Sequence, residues 1–330
     1  MKSIKNYFKN MDKTLKFESN IDSNLEFKFN IYRPKVEGVI FTTFVLIIPF
    51  FLLLLISLIL KPNAYNTDEK NNSIVALRSV LLLSSQILSA TIGAYILYKR
   101  DNQLFLKTSI FGVFAFIILP FAIVIIIISI INLISNNEIL TGFSSLIIQG
   151  VVEVGIAYLM LKKAINLKLR IKKTLQKNKK ELLFLTFVIG WLMLIISMLS
   201  TLLITQKTSN QESLENLLHN SSKIVVVFYL ILLFAFTVVI APFVEEIVIR
   251  DGIFTACGNK WFGFVVSSLC FAMIHVFNDG DIQNIWIYLL PGIVLSATFI
   301  YTKGNVTYTW LIHALSNFIS FILIVARLIS

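Results

Sequence analysis

Apolar stretches long enough to cross a lipid bilayer recur along this chain, with short polar segments between them. A helix needs about 20 apolar residues to cross about 30 Å of hydrocarbon, and only helices and closed barrels satisfy all their backbone hydrogen bonds inside lipid. We therefore predict an all-α, polytopic transmembrane helix bundle with about nine spans, or with eight. The predicted spans are residues 39–60, 80–98, 109–134, 143–161, 182–204, 224–249, 262–277, 285–302 and 306–327.

Composition agrees with this pattern and excludes a water-soluble domain. Of the 330 residues, 57% are hydrophobic and 14% are charged, and the mean hydropathy is +0.82, whereas soluble domains carry about 25% charged residues. The formal net charge is +11. Because the Lys and Arg residues sit in short loops beside apolar stretches, where they determine orientation, we expect the lipid bilayer as a partner and no nucleic acid. The sequence carries no signal for an oligomeric state.

The distribution of positive charge predicts the orientation of the bundle. With the N-terminus in the cytoplasm, 22 Lys and Arg residues fall in inner segments and 6 in outer ones, with Arg250 set aside. Cytoplasmic loops normally hold this excess. Residues 162–180 alone carry nine basic residues, which is typical of a cytoplasmic anchor beside anionic lipid. The bias towards Ile, Lys and Asn indicates an AT-rich bacterial genome, so we expect a multi-pass protein of a bacterial plasma membrane.

Polarity also predicts how the chain is divided. No short apolar core lies near Met1, so we expect no cleaved signal peptide. The first four spans contain few polar residues, and the last four contain most of them. The predicted organisation is a polar cytoplasmic segment 1–38, a five-span membrane scaffold 39–204, an extracytoplasmic loop 205–223, and a membrane core 224–330 that carries the chemistry.

The sixth predicted span carries two acidic residues and a cation in the sequence APFVEEIVIRDGIF. An ionised side chain at the bilayer centre costs about 2.5–3.5 kcal/mol on translocon scales, so such groups face a protein interior and usually serve a function. Glu246 and Arg250 are four residues apart, which is the spacing of an ion pair on one helical face. Glu245 points about 100° away from Glu246. We therefore expect a structural Glu246 and a free Glu245.

Three other predicted spans also carry polar side chains. His275 lies in the seventh span, and His313 and Asn317 share one face of the ninth. A single His in a span is about as often a hydrogen-bond partner between helices as a catalytic group, and a lone Asn is more often the former. In the fourth span, Glu153 lies one turn after Gln149. It is either a buried packing contact or part of a polar lining.

Three short motifs, in this order on successive predicted helices, resemble the signatures of the CPBP family. That family comprises type II CAAX-processing endopeptidases and bacterial bacteriocin-processing or immunity proteins, and the resemblance covers roughly residues 224–325. Family members often continue the first motif as FRG, and here Ile249 and Asp251 stand in the flanking places, which affects the expected substrate fit. The motifs are EExxxR (Glu245, Glu246, Arg250), FxxxH (Phe271, His275) and HxxxN (His313, Asn317).

The resemblance implies an intramembrane endopeptidase. Hydrolysis of a peptide bond needs an activated water and a stabilised oxyanion. By the resemblance, Glu245 would be the general base, and His275 would orient the water or shuttle its proton. His313 and Asn317 would donate hydrogen bonds to the oxyanion.

A zinc mechanism is the alternative that the same side chains leave open. His275, His313 and Glu245 would then be the ligands, with water in the fourth position. The motif HExxH is absent, and Asn is a poor zinc ligand. The cofactor is therefore either none, in a glutamate mechanism, or Zn²⁺. In both mechanisms Glu246 and Arg250 would brace the helix.

Two non-proteolytic functions compete with this interpretation. A catalytically idle protein could confer immunity or regulate a partner through the same cavity, although none of the motif residues is missing. A transporter could use buried Glu and His residues to line an ion pathway, but no internal repeat supports one. As substrates for a protease, we expect membrane-anchored peptides such as CAAX-type C-termini or bacteriocin- or pheromone-like peptides.

Overall fold

The computed structural model describes residues 25–60, 69–135, 137–203, 218, 222–277, 280 and 282–329. Residues 1–24 and most of the predicted loop 205–223 lie outside this set. Within the described residues the chain is helical and contains no strand. The helices are α1 (Pro34–Ile59), α2 (Glu69–Arg100), α3 (Asn102–Lys107), α4 (Ile110–Ile134), α5 (Glu138–Lys163), α6 (Leu167–Lys177), α7 (Lys179–Leu203), α8 (Lys223–Cys257), α9 (Lys260–Val276), α10 (Ile285–Tyr301) and α11 (Val306–Ile329).

The predicted all-α membrane bundle is confirmed. Among the described residues, eight helices are long and apolar enough to cross a membrane, namely α1, α2, α4, α5, α7, α8, α10 and α11. The seventh predicted span, 262–277, corresponds to α9, which has 17 residues and is therefore about 25 Å long. That length is shorter than the hydrocarbon core of about 30 Å.

Helix α8 continues past its predicted end at residue 249 and finishes at Cys257. Two of its stretches, Ala235–Ile240 and Ile247–Gly252, are wound as π-helix, a local widening that occurs often at functional sites. Gly258 follows with φ +62°. A side chain there would collide with the backbone of Tyr32, so this turn requires glycine. The chain then reverses into α9.

Contacts between the connecting segments assign the helix ends to two faces of the bundle. On one face, Lys303 pairs with Glu26 at 3.1 Å, and Asn305 donates to the Thr174 hydroxyl at 2.7 Å. On the opposite face, the guanidinium of Arg78 donates to the Gly280 carbonyl at 2.8 Å. Because Gly258 packs on the first face and Gly280 lies on the second, α9 runs from one face to the other.

Candidate active site

Helix α8 carries a fully buried ion pair. Glu246 and Arg250 are one turn apart, and the Arg250 Nε donates to Glu246 Oε2 at 3.1 Å, with both side chains 0% exposed. Arg250 Nη1 also donates to the Ser267 hydroxyl of α9 at 2.6 Å. Ser267 in turn donates to the Ile249 carbonyl at 3.0 Å. The pair therefore fixes α8 against α9 as well as neutralising its own charges, as the spacing predicted.

His313 of α11 faces both glutamates. Its Nδ1 lies 3.2 Å from Glu246 Oε1, and its Nε2 lies 4.0 Å from Glu245 Oε2. Because Glu246 is paired with Arg250 and an ionised carboxylate only accepts hydrogen bonds, the His313 Nδ1 donates to it. The ring is thereby oriented so that Nε2 points towards Glu245.

Glu245 differs from Glu246 in having an unsatisfied carboxyl oxygen. Its side chain is 14% exposed, and its buried Oε2 has no hydrogen-bond partner among the described residues. Glu153 and Glu246 both lie close enough to act on this carboxyl electrostatically. A buried acceptor without a partner is costly, and such an acceptor in a native site is a candidate for binding water or substrate.

His275 of α9 and His313 of α11 both contact the Phe271 ring. The Phe271 ring centroid is 5.0 Å from that of His275 and 5.4 Å from that of His313. Since a backbone carbonyl only accepts, His275 Nδ1 donates to the Phe271 carbonyl at 2.8 Å. The ring also stacks on Tyr288 of α10 with centroids 4.4 Å apart. The neutral ring therefore has an Nε2 lone pair that can accept a proton.

Asn317 of α11 binds the backbone of α8. Its Nδ2 donates to the Thr237 carbonyl at 2.8 Å. Pro242 has no N–H to donate within the helix, so a carbonyl about one turn earlier loses its intrahelical partner. Asn317 supplies the missing donor to Thr237, five residues before the proline, and keeps one further amide hydrogen for another acceptor.

Asp251 occupies a position where the sequence departs from the family pattern, and the structure gives it partners. Its carboxylate accepts from Arg170 of α6 and from the hydroxyl of Ser109, which precedes α4. All three side chains are buried. Arg170 also stacks over the Phe27 ring at 5.3 Å. The extra acid is thus neutralised by a cation from a distant part of the chain.

The predicted zinc set is not assembled as a metal centre. Within the described residues, no group of three or more His, Cys, Asp or Glu side chains is arranged to hold a metal ion. His313 lies near Glu245, but the contacts of His275 are with Phe271 and Tyr288. Among the described residues, His275, His313 and Glu245 are therefore not gathered into one ligand set.

Three participants in this cluster were not assigned from sequence. The Ser267 hydroxyl contacts Arg250, and the Tyr288 ring stacks on His275. Glu153, left open as packing or lining, lies close to Glu245. In the sequence, Glu153 stood out only as an acidic residue in an apolar span. No sequence feature marked Ser267 or Tyr288 as part of the site.

Comparison with known proteins places the site within a recognised family region. Residues 227–319 match the family described as "Type II CAAX prenyl endopeptidase Rce1-like". An "Uncharacterized protein" of Mycoplasma capricolum is 32% identical over 339 residues, which cover 99% of this chain and 98% of that protein. The "Membrane-embedded CAAX protease MroQ" of Staphylococcus aureus is 30% identical over 169 residues, 46% of this chain and 64% of that protein. No solved structure matches.

Proposed function

Because this bacterial multi-pass membrane protein belongs to the CPBP family of intramembrane endopeptidases and related proteins, we propose that it hydrolyses peptide bonds of membrane-associated substrates with a water activated by Glu245. The observation that carries the proposal is the unsatisfied Oε2 of Glu245, which lies 4.0 Å from His313 Nε2. An acceptor for the proton of water and a donor for an oxyanion are thus neighbours.

The proposed reaction proceeds by addition and elimination. Glu245 takes a proton from water as the water oxygen bonds to the peptide carbonyl carbon. The carbonyl oxygen becomes a tetrahedral oxyanion. Glu245, with His275 Nε2 as an auxiliary proton carrier, then returns the proton to the peptide nitrogen as the carbon–nitrogen bond breaks. The products are a carboxylic acid and an amine, and no oxidant or reductant is needed.

His313 and Asn317 are the proposed oxyanion donors. His313 Nδ1 already donates to Glu246, so donation through Nε2 requires the imidazolium form, in which both ring nitrogens carry a proton. Asn317 would use the amide hydrogen that Thr237 does not accept. Each donor of this kind is typically worth about 100-fold or more in rate.

The proposed substrates are peptides anchored in or at the bilayer. A related Staphylococcus aureus protein is named as a CAAX protease, and the site lies among helices that cross the membrane. CAAX-type C-termini and bacteriocin- or pheromone-like peptides share an extended peptide next to a lipid-soluble group. Ile249 and Asp251, which flank Arg250 within a buried stretch of α8, are candidates for adapting the site to one of them.

The test is cleavage of a fluorogenic peptide library by the purified protein in lipid nanodiscs. Glu245→Gln should lower the rate on the order of 100-fold or more, because it removes the general base. The matched control is Glu26→Gln, which makes the same chemical change at the distant pair with Lys303 and should cleave like the wild type. Size-exclusion profiles and melting temperatures establish that each variant is folded.

Three results would contradict parts of the proposal. Full activity in Glu245→Gln would remove the base assignment. Loss of activity in a strong zinc chelator, restored by added zinc, would replace the glutamate mechanism with a metal one. Absence of cleavage by folded wild-type protein across the library would favour the alternative of a binding or immunity protein.

A further inference from the structure

Glu153 is a buried acid outside the region that matches the family. It lies in α5, in the part of the chain predicted as scaffold, and is 2% exposed. Its Oε1 accepts from Gln149 Nε2 at 2.9 Å, and its buried Oε2 has no hydrogen-bond partner among the described residues. An unsatisfied carboxyl oxygen in the membrane interior costs free energy, so we expect a hydrogen-bond donor beside it.

The fold places this acid beside Glu245. Helix α5 packs directly against the part of α8 that bears the glutamates. Gly150, one turn before Glu153, faces α8, since a Cβ there would make ordinary contact with Phe236 at 3.5 Å and with Ile240 at 3.6 Å. Glu153 lies close enough to Glu245 to act electrostatically on its carboxyl group.

Glu153 and Glu245 thus lie on packed stretches of α5 and α8, and each carries a buried, unsatisfied Oε2. Ionised carboxylates only accept hydrogen bonds, so they cannot satisfy each other. Arg250 Nε and His313 Nδ1 donate to Glu246, and no donor among the described residues bonds Oε2 of Glu153 or Oε2 of Glu245. A water molecule donates two hydrogens, and buried waters characteristically bridge otherwise unsatisfied polar groups. A single bridging water therefore supplies one donor to each acid.

We propose that Glu153 is a water-binding residue of the active site, and that Glu153 Oε2 and Glu245 Oε2 hold the attacking water between them. This inference rests on the proposed endopeptidase function. Glu245 takes one proton from the water as its oxygen bonds to the carbonyl carbon. The second hydrogen stays on that oxygen and is held by Glu153, which fixes the direction of attack and exchanges no proton.

Substitution of Glu153 tests the inference through kcat and KM for a cleaved fluorogenic peptide in nanodiscs. Glu153→Met has a similar volume but no acceptor, so kcat should fall on the order of 10- to 100-fold, the effect of losing a hydrogen bond to a charged group. KM should stay unchanged, because the group contacts water and not peptide. Glu153→Gln should keep kcat within a few-fold, because the introduced amide carbonyl still accepts from water while Gln149 can rotate to accept from the amide nitrogen.

Matched variants separate this role from a structural one. Val154→Met introduces the same side chain on the exposed face of the same helix and should leave kcat and KM unchanged. Glu153→Asp keeps the charge but draws it back by one methylene, so kcat should fall with KM unchanged. This variant serves as the test if the melting temperature shows that Glu153→Met does not fold.

The outcomes distinguish this inference from the proposed function. No cleavage by folded wild-type protein overturns both. Cleavage by the wild type with an unchanged kcat in folded Glu153→Met overturns the role of Glu153 alone. A rise in KM without a fall in kcat also overturns it, since that result assigns Glu153 to peptide binding.

Discussion

At the scale of single residues, the Glu246–Arg250 pair illustrates how a buried charge depends on its partner. Both side chains are completely buried, and each has a second partner, His313 for Glu246 and Ser267 for Arg250. Removing both charges of such a pair often costs little, whereas removing one leaves an uncompensated charge in a low dielectric. The pair should therefore respond to mutation in a strongly non-additive way.

We expect Arg250→Met to destabilise the protein by about 3–5 kcal/mol, the usual cost of breaking a buried pair. The double variant Glu246→Leu with Arg250→Met should melt at a higher temperature than Arg250→Met alone, because no unpaired charge remains. Thermal unfolding in detergent measures this coupling. Equal or lower melting of the double variant would contradict the view that the pair is held together by mutual neutralisation.

Sequence reasoning reached only some of these residue contacts. The spacing of four predicted the Glu246–Arg250 pair and a separate Glu245, because both follow from helix geometry. It did not predict that His313 bonds Glu246, since these residues are 67 positions apart. The partner of Asp251 could not be predicted from the spacing either, because Arg170 lies 81 positions away in another helix. Which distant helices meet depends on tertiary packing, and local periodicity does not encode that.

At the scale of elements, α8 and α11 are joined where α8 departs from regular winding. Pro242 leaves the helix one donor short, and the Asn317 amide binds the Thr237 carbonyl in the π-helical stretch Ala235–Ile240. A proline inside a helix is a common cause of a kink. Here α8 widens locally into π-helix, and Asn317 of α11 donates to the Thr237 carbonyl.

This arrangement predicts that Asn317 and Pro242 are energetically coupled. Asn317→Leu should lower the stability of the wild type by about 1–3 kcal/mol, because a buried carbonyl is left unsatisfied. In a Pro242→Ala background the cost should be less than half, since the restored N–H can donate within α8. Melting temperatures of the four proteins measure the coupling. Equal costs in the two backgrounds would mean that Asn317 does not compensate for the proline.

Helix α6 contacts both α8 and the segment that precedes α11, at one end of the bundle. On its inward face, Arg170 pairs with Asp251 of α8, and Thr174 accepts from Asn305, which precedes α11. Its outward residues include the exposed Lys168. The run of basic residues predicted an anchor at the lipid surface, but not this inward contact. The helix thus holds the two elements that bear Glu245 and His313 at a fixed spacing.

At the scale of the whole molecule, the hydrophobic pattern predicted the bundle well because each span must satisfy its own backbone inside lipid. The eight long helices coincide with predicted spans to within a few residues at most ends. Two helices are exceptions. Helix α2 starts before its apolar stretch. Helix α8 continues through its polar motif, because Glu246 and Arg250 neutralise each other inside the protein. The predicted division into scaffold and core stays a prediction, although α5 supplies Glu153 beside α8.

The number of crossings depends on α9, which has only 17 residues. Its ends lie on opposite faces of the bundle, near Gly258 and Gly280, and α10 returns the chain to the first face at Lys303. Nine crossings with a cytoplasmic N-terminus therefore place α6 and Lys303 in the cytoplasm and residues 205–223 outside. Eight crossings, with α9 not counted, would put Lys303 outside.

Cysteine labelling in intact cells distinguishes the two arrangements. In a background with the buried Cys257 and Cys270 replaced by Ala, an impermeant maleimide should label Ser209→Cys in the loop 205–223 directly. It should label Lys172→Cys and Lys303→Cys only after the cells are permeabilised, because the charge distribution predicts the cytoplasmic face for both. Direct labelling of Lys303→Cys with Lys172→Cys protected would mean that α9 does not cross. Direct labelling of Lys172→Cys with Ser209→Cys protected would invert the orientation predicted from the 22 inner and 6 outer basic residues.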